Sequence, residues 1–198
     1  MKEILPGIYQ WSWFSQEKGY DFNGHLVVAG AERVMIDPPP MSAEDDAWLQ
    51  KQGPIAGIVL TNRDHVREAE AYRKKFKTIV LAPEADAPLM EIKIERTFKN
   101  SDLLPGGMKA IHVPDGKSPG ESALFLNRGK GILILGDALI GKPPGRLSLM
   151  APEKYKDPAK AREGIRVLLK QSFDMILLGD GASILASGRQ AIEEFLRS

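Results

Sequence analysis

Eight short runs rich in valine, isoleucine and leucine punctuate the chain: HLVVA, RVMID, IAGIVLT, TIVLA, MKAIHV, SALFLN, GILILGD and MILLGD. Each is bounded by glycine, proline or polar residues, as strands are, and the segments between them carry helical period. Alternation of this kind predicts a layered α/β fold. In HLVVAGAERVMID and SALFLNRGKGILILGD two such runs flank a glycine-bearing turn, so both read as antiparallel hairpins. A purely parallel sheet is thereby disfavoured.

Capping chemistry marks the helices. Ser42 has Asp45 three residues on, Asp157 precedes Pro158 at a first helical position, and Ser187 stands ahead of RQAIEEFLR. A further helix should follow His65, with Ala69, Tyr72 and Phe76 on its inner face. The stretch from Pro83 to Pro105 is mixed, whereas GKPPGRLSLMAPEKYKDP reads as a long loop beside a site.

With 198 residues and 43% apolar content, the chain can bury a sizeable core, and residues 1–198 are expected to form one domain. The 27 basic and 26 acidic side chains leave a net charge of +1. That balance argues against nucleic acid or an anionic membrane as partner and leaves a small molecule. Cysteine is absent, which excludes disulfides, thiolate catalysis and sulfur-ligated metals. The opening MKEILPGIYQ lacks a signal-peptide pattern, and no segment approaches the ~20 apolar residues of a membrane span, so the expectation is cytoplasmic.

Polar residues gather in four places where strands should end: Asn62-Arg63-Asp64-His65 after IVLT, Pro114 to Gly120, Gly136-Asp137-Ala138-Leu139, and Gly179-Asp180-Gly181. Open α/β sheets bind ligands at such ends. In this order the loops resemble the metal-binding loops of the metallo-β-lactamase superfamily, whose strands end in THxHxDH, GHTPG, GDAL and a glycine-flanked histidine. Leu5-Pro6-Gly7-Ile8-Tyr9, Asn23 and the hairpin ending in Ile36-Asp37 look like the superfamily's first strands. The resemblance implies a four-layer αββα sandwich with mixed sheets, within the α/β (α+β) class, and a metal-dependent hydrolase.

The departures carry the functional content. The first loop is about two residues shorter than the family motif; Asn62 stands nearest its first histidine, and Asp64 and His65 match its terminal pair. Lys117 replaces the histidine of GHTPG, Asp137 matches the bridging aspartate, and Asp180 replaces the last histidine. The three-histidine site has therefore lost its histidines, while the other keeps Asp64, His65 and Asp137 and gains Asp180.

Two readings follow. In one, Asp64, His65, Asp137 and Asp180 hold one divalent ion, zinc, iron, manganese or magnesium, which activates water, with Asp64 and Lys117 taking part in catalysis. In the other there is no metal and no catalysis. Carboxylates gathered in a low-dielectric pocket need a cation, and Lys117 and Arg63 supply it, leaving the pocket, with Asn62, to bind a ligand. Taken alone, Asp137 and Asp180 would be turn residues; only the ordered set of motifs favours a site. His25 and His112 fall inside strand patterns and read as structural, and Trp11, Trp13 and Phe14 as packing.

Overall fold

Consecutive side chains of a strand point to opposite faces, so an unbroken apolar run such as Val34-Met35-Ile36 must be covered on both sides. In the computed structural model, which describes residues 1–198, Val34 and Ile36 pack between two sheets while Met35 packs in a separate layer with helix residues. Ile132 and Ile134 likewise enter the central layer, and Leu133 and Leu135 the opposite outer one.

The first sheet follows sequence order: β1 (Lys2–Leu5), β2 (Ile8–Ser15), β3 (Tyr20–Ala29), β4 (Glu32–Ile36), β5 (Gly57–Val59), β6 (Val80–Pro83) and β7 (Arg96–Phe98). The second contains β8 (Leu103–Leu104), β9 (Met108–His112), β10 (Ser122–Leu126), β11 (Ile132–Leu135) and β12 (Met175–Leu178), in the order β12-β11-β10-β9-β8. Both predicted hairpins form, β3 with β4 and β10 with β11. Strands β4 to β7 run parallel, as do β11 and β12, so both sheets are mixed.

Helices α1 (Ala43–Lys51) and α2 (Ala69–Phe76) cover the first sheet, burying Leu49, Ala69 and Tyr72 against Met35, Ile58 and Val80. Helices α3 (Pro158–Gly164) and α4 (Gly188–Arg197) lie on the second, where Ile192 and Phe195 meet Leu133 and Ile176. This is the expected αββα sandwich.

Two of the three predicted caps form. The Ser42 hydroxyl accepts from the Asp45 N–H at 3.1 Å, and Asp157 accepts from Ala159 and Lys160. Ser187 does not cap α4: its backbone is left-handed, with φ of +58°, and its N–H donates to Asp174 instead. Of the early aromatics only Trp11 packs, its Nε1 donating to the Pro39 carbonyl at 3.1 Å. Trp13 and Phe14, further along β2, are 44% and 50% exposed, and Trp13 lies beside Phe22 at 5.9 Å. No helix is long and apolar enough to cross a membrane.

Candidate functional site

The parallel strands β4 and β5 end together, and the first two site residues lock those ends. Asp37, just past β4 with φ of +46°, accepts from the Thr61 N–H at 2.8 Å and its hydroxyl at 2.6 Å. Asn62 then starts a short turn by accepting from the Asp64 N–H at 2.8 Å, and its amide donates to Glu121 at 3.3 Å. The turn drops His65 into the seam between the sheets. Its Nδ1 lies 2.8 Å from Asp37 and its Nε2 3.2 Å from Asp137, which follows β11. A Cβ at position 179 would come within 2.7 Å of the imidazole, so glycine there makes room for the ring.

Lys117 arrives on the loop between β9 and β10. Its Nζ lies 2.7 Å from Asp137 and 3.0 Å from Asp64. Buried Asp86 holds that loop by accepting from the Ser118 hydroxyl at 2.6 Å and the Gly120 N–H at 2.8 Å. Asp86 also accepts from the backbone N–H of Arg63 at 2.9 Å, tying the Lys117 loop to the His65 turn.

The remaining cation is Arg67, two residues before α2. Its φ of +43° is left-handed, a conformation that a residue with a side chain adopts at a cost. Its guanidinium donates to the carbonyls of Asn23 at 2.8 Å, Asp37 at 2.9 Å and Gly179 at 3.1 Å, and stacks 4.8 Å from the Phe22 ring. Nη2 also pairs with Asp180 at 2.6 Å and lies 3.5 Å from His65 Nε2.

Neighbouring charge decides the protonation of these groups. Burial and Arg67 press against a charged His65, but Asp137 and Asp37 outweigh them and hold the imidazolium to a pKa of about 10. Burial also opposes an ionised Asp137, yet His65 and Lys117 keep its carboxyl well below the usual range. Lys117 is held above the ordinary lysine value because Asp137 and Asp64 overcome its desolvation. At Asp180 burial wins over His65 and Arg67, and the pKa rises. Fully buried Glu121, with one oxygen lacking any partner, is pushed far up by desolvation and by Asp137.

Above these charges opens a cavity of about 460 Å³. Tyr20, Phe22, Ile140 and Met150 give it an apolar side, and Lys18, Lys142 and Lys154 join the charged residues in its lining. Met150, Lys142 and Lys154 come from the segment the sequence marked as a loop beside a site.

The structure gathers His65, Lys117, Asp137 and Asp180 in one place. His65, Asp137 and Asp180 offer ligand atoms within 4.8 Å of one another, a His/Asp group of the kind that can hold a metal. Asp64 stands apart from that group, with its side chain 40% exposed and facing Lys117. Asn62 is buried behind the cavity against Glu121. Arg63 does not neutralise the carboxylates: the short turn brings its backbone N–H inward to Asp86, and the guanidinium in the site belongs to Arg67. A cation just ahead of a helix N-terminus opposes the helix dipole unless acids receive it, and that was the available signal for Arg67. Asp86 lay in the mixed stretch between Pro83 and Pro105, and Glu121, between the Pro114–Gly120 loop and the strand SALFLN, carried no signal of its own.

The donor set suits a divalent ion by chemistry, but as folded the residues do not fit one. An ion about 2.0–2.2 Å from each donor needs free lone pairs facing a common point. Here Arg67 Nη2 already fills the space between Asp180 and His65, 2.6 Å from the carboxylate and 3.5 Å from Nε2, while Lys117 takes the Asp137 oxygen turned away from His65. Adding two positive charges beside that guanidinium would be repulsive at these distances.

A family model described as the metallo-beta-lactamase superfamily matches residues 1–198. Among solved structures, a metallo-beta-lactamase from Pontibacter korlensis superposes with a TM-score of 0.81 at 16% identity, covering 100% of this chain and 98% of that one. TMB-1 gives 0.76 at 16% identity, with 98% and 96% covered. FIM-1 from Pseudomonas aeruginosa, solved in a mono-zinc form, gives 0.77 at 16% identity, with 98% and 92% covered. No curated protein matches. At these identities the structural likeness speaks for the fold alone.

Proposed function

The chain belongs to the metallo-β-lactamase superfamily, and we propose that it binds a small molecule in the old pocket, with its own cations, Arg67 and Lys117, standing in for a metal centre. The observation behind this reading is the place of Arg67 Nη2, 2.6 Å from Asp180 and 3.5 Å from His65 Nε2. Four carboxylates, on Asp37, Asp64, Asp137 and Asp180, face Arg67, Lys117 and the His65 imidazolium, so the floor of the pocket is close to charge balance. Lys18 pairs with Glu17, and the two lining lysines without an acidic partner, Lys142 and Lys154, favour an anionic ligand, while the wall of Tyr20, Phe22 and Met150 favours one with an apolar part.

Elemental analysis of protein purified without a metal-binding tag tests this. The expected result is no stoichiometric metal and a melting temperature that a chelator does not move. About one equivalent, lost in an Asp137→Ala/Asp180→Ala variant, would overturn it. That outcome would favour the competing reading, a single-metal hydrolase, which draws on the convergence of His65, Asp137 and Asp180 within 4.8 Å. Screening with esters, thioesters and phosphodiesters would then be in order.

A further inference from the structure

Arg67 is anchored more firmly than neutralising one aspartate requires. Its guanidinium takes three backbone carbonyls, those of Asn23, Asp37 and Gly179, in addition to Asp180. Those carbonyls sit within β3 and just past the ends of β4 and β12, so both sheets hold the group in position. The cost is a left-handed backbone at residue 67. Without the guanidinium, Asp180 would lose its partner, the three carbonyls would lose their donor, and a polar gap would open beside His65 Nε2 and Asp137.

From this geometry we infer that Arg67 is a built-in substitute for a metal ion, and that His65, Asp137 and Asp180 are a competent metal site masked by this one side chain. The inference rests on the metal-free reading and extends it: loss of the family's histidines did not by itself remove metal affinity, and occupation by the guanidinium did. One large-to-small change at residue 67 should therefore create a binding site without adding any ligand. Lys117 does not block it, because its ammonium takes the Asp137 oxygen that faces away from His65.

The test uses cobalt(II) chloride as probe, read by equilibrium dialysis and by visible d–d absorption of the bound ion. Wild type and Arg67→Lys, which keeps a cation in place, should take up none. Arg67→Ala should take up about one equivalent with low-symmetry cobalt bands, and Arg67→Ala/Asp180→Asn and Arg67→Ala/His65→Gln should lose both. If Arg67→Ala is unfolded without metal, as circular dichroism would show, cobalt should restore the fold. Failure of Arg67→Ala to bind cobalt, or failure of cobalt to restore it, overturns the inference while leaving the metal-free reading standing. Uptake that persists in the double variants also overturns it, since the ion would then sit elsewhere. Stoichiometric uptake by wild type at His65, Asp137 and Asp180 overturns both.

Discussion

Asp137 is almost wholly buried and stays ionised because two cations reach it, His65 on one oxygen and Lys117 on the other. Removing one cation exposes how much each contributes. Lys117→Met keeps most of the aliphatic stem but leaves Asp137 with only the imidazole. Breaking a fully buried pair costs about 3–5 kcal/mol, and because Lys117 is 20% exposed some water can replace it, so a loss of about 2 kcal/mol is expected. Urea denaturation of Lys117→Met, Asp137→Asn and the double variant would isolate the coupling. Additive losses would show that the 2.7 Å contact contributes nothing to stability.

Between strands and site stand the loops, and their stiffness is set at a few contacts. The loop carrying Lys117 is pinned where Gly120 passes Asp86: a Cβ there would meet the Asp86 carboxyl carbon at 2.6 Å and the Pro83 Cβ at 2.8 Å. Neither neighbour is a flexible chain end, so Gly120→Ala must push the loop away from Asp86 and carry Lys117 with it. A destabilisation of about 2 kcal/mol is expected from such overpacking, with weakened Lys117 coupling to Asp137 in the same background. An unchanged unfolding midpoint would mean that the loop yields freely. Here too lies the limit of what the residues reveal in order. Runs such as GILILGD and HLVVAGAERVMID announce strands because both faces must be apolar, and Ser42 and Asp157 announce helix starts because their side chains satisfy local N–H groups. Apart from the His65 ring two residues from Arg67, Asp86 and Arg67 act through partners 23 to 113 residues away, and no local period or cap encodes such a distance. Asp137 and Asp180 were legible only as members of an ordered set of motifs. Ser187 had the right chemistry for a cap, but the turn that Asp174 holds placed it in the wrong conformation.

Across the whole molecule the site is a seam between the sheets. Asn23 of β3 donates to the carbonyls of Leu178 and Gly181, and His65 links Asp37 at the end of β4 to Asp137 at the end of β11. An imidazolium joins two carboxylates by donating from both nitrogens, while a neutral ring can donate from only one. The pKa of His65, raised from 6.5 to about 10, turns this into a statement about stability. The folded state holds the proton more tightly than the unfolded one, so the stabilisation is fully present below about pH 6.5 and is lost as pH climbs towards about 10. Replacing His65 by glutamine removes the titrating charge, so His65→Gln should be less stable than wild type near neutrality and close the gap on alkaline titration. Over that window the wild type should lose about 2–4 kcal/mol more than the variant, a range set below the full shift because Asp37 and Asp137 share the proton's energy. Unfolding free energies of the two proteins, measured by urea titration at several pH values across that range, decide the matter. Curves that stay parallel would mean that the seam is held by Arg67, Lys117 and Asn23 alone, with His65 a neutral spacer between two aspartates.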